Sequence, residues 1–365
     1  VVSLYTIVDG VLIARLVGEN ALAAANVAYP AISFTLAMGI MLGTGGSAVV
    51  AHKMGAGYLE EARRDFGFLA LVAVCIGLAV CLAGALFAGP LARLLGASDL
   101  LLDDTVTYLR VQLCFAPMAM LQLLFESFFV TAGRPGLGLG LATAAGVTNA
   151  VLDYLYMGPM QMGILGAALG TVTGYSIPAV AGGLFFLLRR QGLRFGRPHG
   201  DLRMLGRACF NGASEMVTNL SMAVTTFLFN AIMMAYLGEA GVSAITIVLY
   251  AQFLLVSLYM GFSMGVAPVF SFNRGAGRYD RMRRIFGYCL RFILVSSVAI
   301  LAVALALSGV VVGIFSTPGS QVYAIALDGF RRFAPAFLFA GVNIFSSALF
   351  TALSDGRTSA IISFA

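Results

Sequence analysis

FGFLALVAVCIGLAVCLAGALF, residues 66–87, carries no charged side chain from end to end. At about 1.5 Å of rise per residue, a helix of that length crosses roughly 30 Å of hydrocarbon. A strand of a membrane β-barrel would instead alternate apolar and polar side chains over ~10 residues, and Leu69–Leu82 shows no such dyad. Outward from this stretch the pattern recurs in Gly138–Tyr156, Ile164–Leu188 and Ile285–Val312. Read between polar breaks, helices are expected near 1–16, 21–50, 64–89, 104–132, 137–158 and 164–188, then 205–237, 242–272, 285–312 and 323–352, with a further stub from 358. The fold class is an all-α polytopic membrane protein. Over its 365 residues the chain is 60% hydrophobic and only 10% charged, against roughly a quarter charged in soluble domains.

The formal charge of +6 matters less than where it lies. Lys53, Arg63, Arg64, Arg134, Arg189, Arg190, Arg194, Arg197, Arg203, Arg207, Arg274, Arg278, Arg281, Arg283, Arg284 and Arg357 fall in one alternating set of loops. Arg15, Arg93 and a few others occupy the opposite set. By the positive-inside rule the arginine-rich loops are expected in the cytoplasm of a bacterial cytoplasmic (plasma) membrane. No cleavable leader is visible, and Val1 opens directly into apolar sequence as if the chain were clipped there. The five cysteines lie in or beside apolar runs without CxxC spacing, so they read as packing residues, and no metal or redox cofactor is expected.

RRQGLRFGRPHGDLR, residues 189–203, has the glycine, proline and charge content of a linker. The expected organisation is an N-terminal lobe at 1–188 holding six crossings, a cytoplasmic linker at 189–204, and a C-terminal lobe at 205–365 holding crossings seven to ten and the start of an eleventh. The lobes repeat. A shift of 220 residues sets Gly18-Glu19 on Gly238-Glu239, Gly55-Ala56-Gly57 on Gly275-Ala276-Gly277, and Arg63-Arg64-x-Phe66-Gly67 on Arg283-Arg284-x-Phe286-Gly287. Phe115-Ala116-Pro117 matches Phe333-Ala334-Pro335 with a two-residue slip. Six crossings per copy make a parallel repeat about an axis normal to the membrane, with twelve helices expected in the native protein. A cleft between two such bundles, opened to alternate sides by rocking, makes transport the default function. An enzyme is not expected, because His52 and His199 lie far apart and neither HExxH nor GxSxG is present.

Carboxylates at membrane depth are costly and therefore candidates for function. Four stand out: Asp9, Glu126, Asp153 and Glu215. Counting helical rise puts Asp9, Asp153, Asn149 one turn below it, and Thr171 in one layer of the first lobe. Two carboxylates, an amide oxygen and a hydroxyl suit a sodium ion, or a proton shared between the carboxylates; the bland alternative is that Asn149 and Thr171 make interhelical hydrogen bonds while Asp9 caps a broken helix end. Glu215 and Glu126 are placed in the cytoplasmic half. Glu215 is a candidate anchor for cationic substrate in the central cleft, with a structural role at the cavity mouth standing equally beside it. Met38, Met41, Phe253 and Met260 are candidates for an adaptable apolar cavity, though their helical spacing also fits plain packing. The run Gly43-Thr44-Gly45-Gly46-Ser47 lacks the GK[ST] ending of a phosphate loop and is read as close helix packing.

VDGVLIARLVGENALAAANVAYP (8–30), GAGYLEEAR (55–63), its echo GAGRYDRMRR (275–284), and Asn149 with Asp153 together resemble the multidrug and toxic compound extrusion (MATE) family. NGASEMVTNLS (211–221) is similar to its bacterial multidrug branch. The resemblance implies a V-shaped pair of six-helix lobes and efflux of drugs or metabolites by antiport with sodium or protons. It carries the first-lobe cation site onto Asp9, Asn149, Asp153 and Thr171, and leaves a second-lobe site in doubt, since helix 10 offers only Asn343 and Ser346. The implied partners are small, cationic amphipathic compounds and the lipid bilayer, with no nucleic acid and a monomer expected. The alternative within transporters is a flippase for a lipid-linked precursor, which would need several cations facing its cavity.

Overall fold

The computed structural model describes residues 8–364, among which there is no β-strand. Helix α1 runs from residue 8 and widens into a π-turn at Ile13–Val17, closed where the Gly18 N–H donates to the Ile13 carbonyl. The start of the expected first crossing, residues 1–7, lies outside the described residues, as does Ala365 at the end of the stub. There follow α2 (Glu19–Gly55), α3 (Leu59–Leu94), α4 (Leu102–Cys114), α5 (Ala116–Thr131), α6 (Pro135–Met157) and α7 (Gly163–Leu188). After the linker come α8 (Leu202–Gly275), α9 (Tyr279–Ala306), α10 (Ser308–Phe315), α11 (Gln321–Phe333), α12 (Phe337–Ala352) and α13 (Gly356–Phe364). Among the described residues seven helices are long and apolar enough to cross a membrane, and α4 with α5 supplies an eighth crossing bent by 53°.

Three crossings differ from the unbroken helices expected at 104–132, 285–312 and 323–352. The first breaks at Phe115, just before Pro117, which has no N–H to give to the ladder. The bend seats that proline against α3 at Gly77, where a Cβ would lie 2.6 Å from the Pro117 Cα. The last breaks in the same motif, through a 3₁₀ turn at Ala334–Ala336 that contains Pro335. The middle one ends at Ala306 and restarts at Ser308. The crossings expected at 205–237 and 242–272 are the two arms of α8, which bends at Gly238 with φ 62° and ψ −153°.

The internal repeat reappears as backbone geometry. Gly18 and Gly238 both take positive φ, as do Gly57 and Gly277. The turn after α2 donates Ala56, Gly57 and Tyr58 N–H groups to the His52, Met54 and Lys53 carbonyls; the turn after α8 donates Ala276, Gly277 and Arg278 to Phe272, Arg274 and Asn273. Each is the same helix-ending motif, in which a left-handed residue satisfies the last carbonyls.

The chain forms two compact units, Val1–Gly212 and Ala213–Ala365. In the first, Phe66, Phe125, Phe128, Phe129 and Phe186 form an aromatic core with Leu42 and Leu69. A second cluster joins Ile13, Ala24, Ala28, Leu109, Ala167 and Ala168. The glycine run in α2 is a packing seam: a Cβ on Gly45 would lie 2.0 Å from the Ala208 carbonyl, and one on Gly46 would lie 2.6 Å from Leu69. In the second unit Val248, Phe330 and Phe337 centre one cluster, and Tyr259, Phe270, Ile293 and Phe345 another.

The linker is strapped to the first unit. Phe195 stacks on Phe66 at 4.9 Å with their planes 7° apart, and Leu193 is buried in the aromatic core. Arg63 donates from Nε and Nη2 to the Gly192 carbonyl at 2.9 and 2.8 Å and pairs with Glu60, while the Gly196 N–H donates to the Arg63 carbonyl. Asp201 then caps α8 by accepting the Arg203 and Met204 N–H groups, which holds its carboxyl below the ordinary carboxylate value. A Cβ on Gly67 would lie 2.3 Å from the Gly196 carbonyl. Gly67→Ala is therefore expected to lift the strap, lowering stability by about 1–3 kcal/mol and speeding tryptic cleavage at Arg194. Gly136→Ala, where nothing lies within 4 Å, serves as the control and is expected within about 0.5 kcal/mol of the parent; thermal melting and limited proteolysis in detergent read both.

Candidate functional site

Helix α6 carries Asn149 and Asp153 one turn apart, and both are fully buried. The Asn149 Nδ2 donates to Asp153 Oδ2 at 2.9 Å, which fixes the amide so that its own oxygen points away from that bond. The Asp9 carboxyl of α1 reaches the Asp153 carboxyl within hydrogen-bonding range. Asp9 sits in the helical segment 8–12, one turn before the π-turn. On α7, Thr171 is buried and its hydroxyl donates back to the Ala167 carbonyl at 3.0 Å. Tyr108 of α4 lies beside Thr171 and Gln112, and close enough to feel the charges of Asp9 and Asp153. Tyr108 and Gln112 are buried too.

Three oxygens of this layer have no hydrogen-bond donor: Asp9 Oδ1, Asn149 Oδ1 and Asp153 Oδ1. Buried polar atoms are nearly always satisfied, so three acceptors orphaned together are a strong departure. Among the described residues no basic side chain pairs with either carboxyl. The ion pairs among the described residues are Lys53 with Glu61 and Asp65, Arg63 with Glu60, and Arg332 with Asp328. An all-oxygen set with excess negative charge suits a hard monovalent cation or a proton. Among the described residues no group of three His, Cys, Asp or Glu side chains forms a metal cluster.

Room for the Asp153 carboxyl is made by α7. Gly166, Gly170 and Gly174 recur every fourth residue on the face toward α6, where a Cβ at Gly170 would fall 1.9 Å from Asp153 Oδ1 and one at Gly174 would lie 3.2 Å from the Asn149 Cβ. Sequence reading did not single out Gly170, Tyr108 or Gln112. The signal for the last two was present: a tyrosine and a glutamine at i and i+4, two polar side chains on one face of a membrane crossing.

The other sequence candidates lie elsewhere. Glu126 is half-buried on α5 between phenylalanines of the aromatic core. Met38 packs against that core, while Met41, Phe253 and Met260 are half-buried. Glu215 is buried on α8 in the second unit, next to Ser214, whose hydroxyl begins a chain that sequence reading missed. It runs from Ser214 to Thr351 at 3.0 Å, Thr351 to Ser359 at 2.9 Å, Ser359 to Ser347 at 2.9 Å, and Ser347 to Ser363 at 2.8 Å, joining α8, α12 and α13. Pairs such as Ser347 with Thr351 and Ser359 with Ser363, four apart on one face, were the readable trace.

The family model MatE matches residues 1–155 and 216–365. The multidrug export protein MepA of Staphylococcus haemolyticus is 23% identical over 374 residues, covering 100% of this chain and 81% of that protein. MepA of Staphylococcus saprophyticus is 24% identical, over 99% of this chain and 80% of the relative. A crystal structure of MATE in complex with MaL6 superposes with a TM-score of 0.93 at 19% identity, covering 99% of this chain and 81% of the other. An outward-facing multidrug resistance MATE family transporter of the MOP superfamily gives 0.92 at 19% identity, with the same coverage.

Two variants test the geometry. Gly170→Ala is expected to displace the Asp153 carboxyl and cost about 1–3 kcal/mol, while Tyr108→Phe, which keeps the buried ring and removes only its hydroxyl, is expected to cost no more than about 1 kcal/mol. Thermal melting of both variants in detergent measures these costs.

Proposed function

Because this chain belongs to the MATE family of efflux transporters, we propose that it expels small organic molecules by antiport with a cation bound at Asp9 and Asp153. The family membership makes it a multi-pass transporter and not an enzyme. The observation that carries the coupling reading is the set of three donorless buried oxygens on Asp9, Asn149 and Asp153.

In this account the cation enters the layer between α1, α4, α6 and α7, and the facing carboxyls, which repel one another when both are ionised, are drawn together by it. Asn149 supplies a neutral oxygen, while Thr171 and Tyr108 hold the wall that α4 and α7 present. The charge change falls where α1 is least regular, at its π-turn and the Gly18 break. That helix is accordingly the element whose packing the cation biases between outward- and inward-open states. The coupling is only as large as the cation's differential affinity for those states. Sodium and the proton are both served by an oxygen-only site. The relatives' names as multidrug export proteins support a broad range of small substrates. A protein of this charge pattern would sit in the bacterial cytoplasmic membrane with its arginine-rich turns inside and export amphipathic cations.

The test is ethidium efflux from vesicles holding the reconstituted transporter, with sodium and proton gradients imposed separately. Efflux driven by one gradient and abolished by Asp9→Asn and by Asp153→Asn is the expected result. Efflux that persists in both variants would sink the coupling role of the pair.

A further inference from the structure

We propose that the exposed face of α9 is a binding site for anionic phospholipid headgroups, built from Arg281, Arg284, Tyr288 and Arg291. These four residues follow one another at spacings of three, four and three, which places them on a single face of the helix. All four are exposed, with Tyr288 at 68%. The same face continues as Val295 and Val298, exposed at 70% and 61%. One stripe therefore runs from apolar side chains that meet acyl chains to three guanidinium groups at the depth of the headgroups.

The internal repeat supplies the control. Shifted by 220 residues, the stripe falls on Glu61, Arg64, Phe68, Leu71, Cys75 and Leu78 of α3. That stripe too is open: Leu71 is 46% and Leu78 55% exposed, and Cys75 is exposed. Further along, residues 301–310 reproduce the exposure pattern of residues 81–90 position by position. The α9 face is thus open for the same reason as its counterpart, because this face of the repeat looks outward.

What differs is charge. On α3 the stripe opens with an acid and a base and is apolar thereafter, and the neighbouring turn is neutralised by Lys53 with Glu61 and Asp65, and by Arg63 with Glu60. On α9 an acid has become Arg281 and a leucine Arg291, while Asp280, the one carboxylate in the turn 274–284, makes no ion pair among the described residues. An arginine in place of an exposed leucine at the edge of the hydrocarbon is unfavourable unless its head finds an anion. Guanidinium groups bind phosphate oxygens through paired N–H donors, and Arg284 and Arg291, about 10 Å apart along the helix, flank the Tyr288 hydroxyl, so that one lipid phosphate fits between them. Clusters of basic residues beside a membrane helix attract anionic lipid by this means.

The 365 residues contain no tryptophan, so a single one introduced as Val298→Trp reports lipid at the apolar end of the stripe, and Leu78→Trp reports the matched position on α3. Quenching by brominated phosphatidylglycerol and brominated phosphatidylcholine in mixed vesicles gives the relative affinity at each. The expected result is a preference for phosphatidylglycerol of about fivefold or more at position 298, none at position 78, and loss of the preference when Arg284→Gln and Arg291→Gln are added. A preference at both positions, at neither, or one that survives the glutamine substitutions would overturn the proposal.

Discussion

Two carboxyl groups held against each other at the depth of a lipid bilayer set the terms for the first unit of this protein. Asp9 and Asp153 bring two potential charges into a layer without a basic partner, and a neighbouring amide turns its donor to one of them and its acceptor to nothing. Such a constellation is expensive to insert. Its surroundings are arranged to keep it intact. The glycines of α7 open the space that the Asp153 carboxyl fills, Tyr108 is buried beside Thr171 and Gln112, and the π-turn and Gly18 interrupt the helix that brings Asp9. Apolar side chains in place of these groups would pack more cheaply, which supports the proposal that a ligand needs their oxygens.

The two units share a backbone plan and differ in their polar chemistry. Breaks at Gly18 and Gly238, and at Phe115-Ala116-Pro117 and its counterpart, show the same folding instructions used twice. The first unit places a carboxylate layer in its interior and neutralises the turn after α2. The second carries a relay of five hydroxyls beside Glu215, and the arginines of its corresponding turn make no ion pair among the described residues. The scaffold is repeated, and its polar positions give the halves different chemistry.

Much of this was legible because a bilayer permits so few backbone solutions. The run 66–87 already required a spanning helix, and the glycine-rich turns at 55–57 and 275–277 marked where helices must end. Asp9, Asn149, Asp153 and Thr171 could be placed in one layer by counting helical rise alone, since depth varies simply along a straight helix. What counting could not reach was lateral: which neighbour faces the layer. Tyr108 lies on a crossing that bends at Phe115, so its height and azimuth follow from the bend rather than from its position in the chain. Gly170 carries no side chain to announce itself, and its role is visible only from the 1.9 Å that a Cβ would leave to Asp153. The strap at 189–197 read as a linker by composition, yet Phe195 and Leu193 bind it to the core, because two apolar side chains among arginines suffice once Arg63 satisfies the Gly192 carbonyl.

The proposed antiport depends on Asp9 and Asp153 acting together as the ligand of a cation. Difference infrared spectroscopy of the reconstituted protein, stepping sodium at fixed pH and then pH without sodium, observes their carboxyl vibrations directly. The account requires carboxyl bands that respond to at least one of the two cations and disappear in both Asp9→Asn and Asp153→Asn. Carboxyl bands indifferent to both steps, or responses unchanged in the two variants, would contradict it.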